Sequence, residues 1–160
     1  KVFVLDGGLK KWKLENKKTF DQLESFSRAN YLVEENKNLV KNKLQIDQNI
    51  QENNFQLIDA RGQKRFDGLE TEPREGLKSG HIQNSLNLPF SDCINKSDNT
   101  FKSKQELSKI FRNLKILSEE NQVFTCGSGV TACILAMANK IINDKNPVIY
   151  DGSWSEYGLK

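Results

Sequence analysis

The sequence predicts an α/β domain with a mainly parallel central sheet and helices on both of its faces. Short apolar strand segments alternate with longer, one-sided apolar segments from about residue 39 onward. The chain has 160 residues, enough to bury one ordinary hydrophobic core. Only 36% of the residues are hydrophobic, but the polar ones gather in Lys- and Asn-rich connecting segments. The apolar runs therefore stay intact, which excludes a disordered chain.

The first residues of the chain resemble the last ones. VFVLDGGLKKW (residues 2–12) matches VIYDGSWSEYG (residues 148–158), and each copy predicts a strand, an Asp-Gly turn and a short helix with an aromatic residue. A unit repeated about one domain length apart indicates tandem duplicated domains. We therefore expect residues 1–12 to be the end of a preceding domain, residues 13–38 a charged linker and residues 39–160 a complete domain.

Within that domain the first predicted elements are a weak helix, a strand and a stronger helix. Residues 43–53 carry few apolar side chains for a helix, whereas residues 55–58 form a short apolar run typical of a strand. Residues 103–114 have a one-sided apolar stripe. Ser103 followed three residues later by Glu106 is a capping box, which favours a helix start at this point.

The second half of the domain contains the apolar elements around the candidate site. Residues 122–125 predict a buried strand, residues 131–142 an apolar helix and residues 148–150 another buried strand. Ligands of such sheets bind beyond the carboxyl ends of the strands. Cys126 follows the first of these strands directly, so we expect it at a ligand-binding position.

The loop after this cysteine has the composition of an anion-binding turn. Gly127 and Gly129 permit positive φ angles that let successive amide groups converge on one point, and the following helix adds its positive amino-terminal end. These donors would stabilise a thiolate or a persulfide anion on Cys126. The alternative is a structural cysteine buried before a tight turn.

The position six residues after Cys126 argues against phosphatase chemistry. A phosphatase-like loop needs an arginine there to bind phosphate with two hydrogen bonds, and this chain has Ala132. The loop contains no Arg or Lys either, which also disfavours arsenate chemistry.

Charge and hydropathy restrict the possible partners. The net charge is +3, and no block of Lys and Arg interleaved with aromatic residues is present, so we expect no nucleic-acid partner. No apolar run has the length of a membrane span, so we expect no membrane partner.

The three cysteines indicate a reducing compartment. Cys93, Cys126 and Cys133 are an odd number without a CxxC spacing, which argues against a disulfide framework and against a metal site. We expect a cytoplasmic or mitochondrial location. We expect Cys133 to be buried on its helix and Cys93, in a polar segment, to be an exposed, redox-sensitive thiol.

Five segments of the sequence occur in the order found in one known family. These are LIDAR (57–61), RFDGLETEPREG (65–76), SGHIQNSLNLPF (79–90), CGSGVTAC (126–133) and YDGSWSEYG (150–158). Together they resemble the second, catalytic domain of rhodanese-type sulfurtransferases. The CGSGVT loop resembles the 3-mercaptopyruvate subgroup, because thiosulfate-preferring members carry a more cationic loop. The resemblance implies a rhodanese-like fold for residues 39–160.

The resemblance also implies an activity. A sulfane sulfur would move from 3-mercaptopyruvate, or thiosulfate, to a persulfide on Cys126 and then to cyanide or a thiol acceptor, such as a thioredoxin-like protein or a low-molecular-weight thiol. No metal or organic cofactor is implied. The alternative is a catalytically weak sulfur-carrier or binding module, because a first domain should supply one wall of the cleft.

The resemblance assigns roles to individual residues. Arg65 and Arg74 match the two arginines that bind the substrate carboxylate, for which Arg is better suited than Lys; the alternative is two surface arginines. Ser128 matches a catalytic serine that works with an Asp and a His of the first domain, and the alternative is a serine that only satisfies loop backbone groups. The implied substrate-binding loop residues are Gly127, Gly129, Val130 and Thr131.

Other polar residues near these motifs are expected to be structural. The one histidine, His81, lies in a motif away from the substrate, and Asp59 with Arg61 is expected to form a buried ion pair. Residues 151–154 are expected to brace the Cys126 loop.

Overall fold

The described residues of the computed structural model, 2–22, 25–116 and 120–160, form a five-stranded sheet in the order β1-β5-β4-β2-β3, with all neighbours parallel. The strands are β1 (Val40–Lys41), β2 (Gln56–Asp59), β3 (Leu86–Asn87), β4 (Gln122–Thr125) and β5 (Ile149–Tyr150). The helices are α1 (Gly8–Leu14), α2 (Lys43–Glu52), α3 (Gln63–Phe66), α4 (Lys104–Asn113), α5 (Ala132–Asn143) and α6 (Ser153–Tyr157). The predicted α/β class with a parallel sheet is confirmed.

Side chains of the central strands alternate between two hydrophobic clusters, one on each face of the sheet. Leu57 of β2 and Val123 of β4 pack with α2 and α6, whereas Ile58 and Phe124 pack with α4 and α5. All four are at most 2% exposed. Helices therefore cover both faces, as expected, and both faces of the sheet are withdrawn from water.

Local capping signals fix the helix boundaries. The Ser103 hydroxyl accepts a hydrogen bond from the Glu106 amide (3.3 Å), and the Glu106 carboxylate accepts one from the Ser103 amide (3.0 Å). This confirms the predicted capping box of α4. Asn42 and Gln45 form a second capping box at the start of α2, which was not predicted.

Two parts of the fold differ from the expectation. The predicted strand in residues 2–5 is wrong: these residues form no strand, and Val2 and Phe3 are 93% and 83% exposed. A strand needs a partner for its backbone groups, and no described strand lies beside this segment. Strands β1 and β3, each two residues long, were missed.

The amino-terminal segment contacts the domain through polar groups. The Asp6 carboxylate accepts a hydrogen bond from the Phe101 amide (2.9 Å), and Lys10 donates to the Lys96 carbonyl (2.6 Å). The assignment of residues 1–12, 13–38 and 39–160 to a preceding domain, a linker and a catalytic domain stays a prediction. No described helix has both the length and the apolar character needed to cross a membrane.

Candidate active site

Cys126 lies at the carboxyl end of β4, the central strand of the sheet. The parallel neighbours β2 and β5 end at the same edge, so residues that follow these three strands come together there. Cys126 is 2% exposed and contacts the hydrophobic cluster on the α5 face. The sequence prediction that places this cysteine beyond a strand end is confirmed.

The hydroxyl of Ser153 anchors the Cys126 loop. Its oxygen accepts hydrogen bonds from the amides of Cys126 (3.2 Å) and Gly129 (3.0 Å) and donates to the carbonyl of Tyr150 (2.8 Å). Ser153 is fully buried. The expected bracing of the loop by residues 151–154 is therefore confirmed, with a buried hydroxyl as its centre.

The first turn of α6 holds the other side of the loop. The amide of Trp154 donates to the Cys126 carbonyl (2.9 Å), and the amide of Ser155 donates to the Gly127 carbonyl (2.8 Å). Gly129 has a φ angle of +78°, and a Cβ at this position would lie 2.9 Å from Asp151 Oδ1. Only glycine fits at position 129 without strain.

The loop amides divide into two groups. Those of Cys126 and Gly129 are used by the Ser153 hydroxyl. Within residues 2–22, 25–116 and 120–160, no protein acceptor binds the amides of four other residues of the turn. These are Gly127, Ser128, Val130 and Thr131. They lie just before the amino-terminal end of α5, whose positive end adds to their attraction for an anion.

A cleft of about 230 Å³ opens beside the cysteine. The cleft brings together all the predicted site residues except Gly129, which is the buried residue of the loop that does not line the cleft. Its lining residues are Arg65, Glu72, Pro73, Arg74, Leu77, Cys126, Gly127, Ser128, Val130 and Thr131. Val130 is 71% exposed at the rim.

Arg65 is held against the loop by a buried carboxylate. Its guanidinium contacts Glu72 at 2.5 Å (Nη2) and 3.3 Å (Nε), and the Glu72 side chain is 2% exposed. A Cβ at Gly127 would lie 3.1 Å from Arg65 Nη2, so the guanidinium packs directly on this glycine. The absence of a side chain at Gly127 therefore gives Arg65 access to the loop.

The same carboxylate continues into a buried ion-pair network. Glu72 also accepts a hydrogen bond from Arg61 Nη1 (2.8 Å), and Arg61 Nη2 donates to Asp59 (2.7 Å). The side chains of Arg61 and Asp59 are both 1% exposed, which confirms the predicted buried pair. Arg61 also lies over the ring of Trp154, 4.6 Å from its centroid. Glu72 was missed at the sequence level, although it lies within the quoted RFDGLETEPREG segment.

Arg74 approaches the loop from the exposed side of the cleft. Its guanidinium donates to the hydroxyl of Ser155, which in turn donates to the Gly127 carbonyl (2.5 Å). Among the described ranges, Arg74 pairs with no carboxylate. Ser155, also missed from the sequence, connects this arginine to the loop. Ser128 lies half-buried in the cleft wall.

His81 makes packing and hydrogen-bond contacts outside the cleft. Its ring stacks on Phe66 with 3.8 Å between centroids, and Nδ1–H donates to the Phe66 carbonyl (2.8 Å). It does not line the cleft. In the described part of the chain, no group of three or more His, Cys, Asp or Glu side chains is arranged to hold a metal ion.

A larger cavity lies at the opposite edge of the sheet, near the amino-terminal ends of the strands. It measures about 600 Å³, and its walls include Asn and Gln side chains, Lys41 and Lys145. It contains none of the predicted site residues. The smaller cleft at Cys126 is therefore the candidate active site, because the reactive groups converge there.

Both predictions about the other cysteines are wrong. Cys93 is fully buried beneath α4 and α5, and burial, with a smaller effect of Asp92, raises the pKa of its thiol to about 12. Cys133 is exposed, because it lies off the helix face that carries Leu135 and Ala136. Partial burial and the charge of Cys126 raise the pKa of the Cys133 thiol.

We expect alkylation to distinguish these thiols. At pH 8 iodoacetamide should modify Cys93 at least about a thousandfold more slowly in the folded protein than in the urea-unfolded protein, because a thiol with a pKa near 12 is rarely ionised. Peptide mapping by mass spectrometry after timed iodoacetamide treatment measures this. Exposed Cys133 is the internal control. Rapid labelling of Cys93 in folded protein would contradict the buried position.

Comparison with known proteins identifies the family. The sequence model of the family described as rhodanese-like domain matches residues 43–160. The chain belongs to the rhodanese-like domain family. The chain is 34% identical over 159 residues to human 3-mercaptopyruvate sulfurtransferase, covering 99% of this chain and 53% of the relative. It is 38% identical over 157 residues to mouse thiosulfate sulfurtransferase, covering 98% and 52%.

A solved structure agrees with this assignment. SseA from Escherichia coli, a 3-mercaptopyruvate sulfotransferase of the rhodanese fold, matches with a TM-score of 0.76 and 28% identity, over 91% of this chain and 53% of SseA. The predicted rhodanese-like fold is confirmed. The chain spans about half the length of the curated relatives it matches.

Proposed function

We propose that this domain transfers the thiol sulfur of 3-mercaptopyruvate, or the sulfane sulfur of thiosulfate, through a persulfide on Cys126. The observation that carries the proposal is the arrangement of one cysteine, free loop amides and two arginines around a single cleft. Relatives named as sulfurtransferases that use these two donors support it. The 230 Å³ cleft has room for a donor of a few heavy atoms.

In the first half-reaction, the Cys126 thiolate attacks the sulfur of 3-mercaptopyruvate. The new S–S bond forms while the C–S bond breaks, and its electron pair leaves with carbon as the enolate of pyruvate. The proton of the donor thiol balances the step, since the enolate takes up one proton as the persulfide loses one. With thiosulfate the same attack releases sulfite, and no proton is needed.

The surrounding groups have complementary roles in this proposal. The guanidinium of Arg74 binds the donor carboxylate, and that of Arg65 binds the neighbouring keto oxygen. The free amides of Gly127, Ser128, Val130 and Thr131 stabilise the persulfide anion. Ser128 lies two residues after the cysteine, where its hydroxyl can pass a proton to the departing enolate.

The second half-reaction needs an acceptor. A thiolate attacks the outer sulfur of the persulfide, which regenerates the Cys126 thiolate and leaves the sulfur on the acceptor. We propose cyanide, a low-molecular-weight thiol or a thioredoxin-like protein, and no metal or organic cofactor. We propose a cytoplasmic or mitochondrial location, since none of the three cysteines forms a disulfide.

Intact-protein mass spectrometry tests the first half-reaction. Brief incubation with 3-mercaptopyruvate, or separately with thiosulfate, should add the mass of one sulfur atom, and peptide mapping should place it on Cys126. A thiol should remove it, and an incubation without donor is the control. A folded sample that gains no sulfur from either donor, alone or within the longer protein, would contradict the proposal and favour the binding-module alternative.

A further inference from the structure

The charges that line the cleft are not all available to a substrate. Arg65 and Arg74 are cationic, and the carboxylate of Glu72 lies between the wall of the cleft and the protein interior. Glu72 pairs with Arg65 and with Arg61, and Arg61 is itself paired with Asp59. Within this network each arginine is matched by one carboxylate. Among the residues that the structure describes, Arg74 is the cation of the cleft that pairs with no carboxylate.

The network is buried at one end and partly exposed at the other. The side chains of Asp59, Arg61 and Glu72 are at most 2% exposed, whereas that of Arg65 is 27% exposed. Arg61 is further fixed by the Gly80 carbonyl (2.8 Å). Glu72 is therefore the fixed group against which the more exposed guanidinium of Arg65 is positioned.

We propose that Glu72 is a positioning and specificity-determining residue that lets Arg65 donate hydrogen bonds beside Cys126 while cancelling its charge. Apart from the Cys126 thiolate, the side chains of the cleft then carry one net positive charge, from Arg74, which matches a donor with a single negative charge. This inference rests on the proposed sulfur transfer and deepens it. It assigns the site to monoanionic 2-oxo thiols such as 3-mercaptopyruvate in preference to dianions such as thiosulfate.

The chemistry of the two donors makes this measurable. 3-Mercaptopyruvate carries one negative charge on its carboxylate, and thiosulfate carries two. One added positive charge in the cleft therefore stabilises a bound dianion about twice as strongly, in free energy, as a bound monoanion. The Arg65 guanidinium donates to the keto oxygen of 3-mercaptopyruvate or, in its place, to a sulfonate oxygen of thiosulfate, so a loss of geometry at Arg65 lowers the rate with both donors. The ratio of the two rates isolates the effect of charge from that of structure.

Glu72→Gln tests the proposal. The amide keeps one oxygen acceptor for Arg65 and removes the negative charge, so kcat/KM for thiosulfate relative to that for 3-mercaptopyruvate should rise by about tenfold. Glu70→Gln is the matched control, because Glu70 is exposed on the same segment and makes no ion pair with a described residue. It makes the same charge change outside the cleft and should leave the ratio unchanged.

Arg65→Gln provides a test in the opposite direction. Its side chain is more exposed than that of Glu72, and Glu72 keeps its bond to Arg61, so the fold should tolerate this change. The cleft loses a positive charge, and the ratio should fall. A ratio that does not move in either variant, or that moves in the same direction in both, would overturn the proposal. If the unaltered protein accepts sulfur from neither donor, the proposed function itself is wrong.

Discussion

Cys126→Ser is expected to abolish sulfur transfer, with a loss of about a thousandfold or more in turnover. The serine hydroxyl is far harder to deprotonate than a thiol, and its oxygen cannot form the persulfide. The fold should be retained, because the brace from Ser153 and Trp154 contacts the backbone amide and carbonyl of residue 126 and not its side chain. Steady-state sulfur transfer to a thiol or cyanide measures the effect.

Cys133→Ser is the matched control. It makes the same chemical change at an exposed position seven residues later, and it should leave turnover near that of the unaltered protein. Circular dichroism spectra of both variants should match the unaltered protein. Substantial turnover in Cys126→Ser, with a mapped persulfide on Cys133, would move the nucleophile to the other cysteine.

Arg61→Met is expected to lower the free energy of unfolding by about 3–5 kcal/mol. Methionine can fill much of the volume, but the carboxylates of Asp59 and Glu72 would lose a shared partner while both remain buried. The stacking on Trp154 would also be lost. Urea unfolding followed by circular dichroism measures the change in midpoint and slope.

Arg112→Met is the control for this stability effect. Arg112 is exposed on α4, and its guanidinium donates to the Ser108 carbonyl at 3.3 Å within the same helix. Its loss should change the stability by less than about 0.5 kcal/mol. Equal midpoints for the two variants would show that the buried network adds nothing to stability.

The elements predicted well are those with strong local signals. Strand β4 has its predicted bounds because four consecutive buried residues precede a glycine-rich turn. Helix α4 has its predicted cap because Ser103 and Glu106 interact over only three residues. The position of Cys126 could also be predicted locally, because the residue directly follows β4 and ligands bind at the carboxyl ends of parallel strands.

The parts that were missed depend on contacts between distant residues. Strands β1 and β3 are too short to show a period of two, and they exist because β5 and β2 supply backbone partners. The burial of Cys93 reflects packing of its loop under α4 and α5, not the polar residues beside it. The role of Glu72 depends on two arginines that reach it from other turns. No pattern within a short window reports such contacts.

The brace of the Cys126 loop has a consequence for protein synthesis. Cys126 leaves the ribosome before Ser153, whose hydroxyl binds the Cys126 amide and lies 27 residues later in the chain. A nascent chain that has released β4 but still holds α6 in the exit tunnel therefore carries a complete cysteine loop without its anchor. The loop can reach its mature geometry only after β5 and α6 have left the exit tunnel, so the thiol lacks its final environment until then.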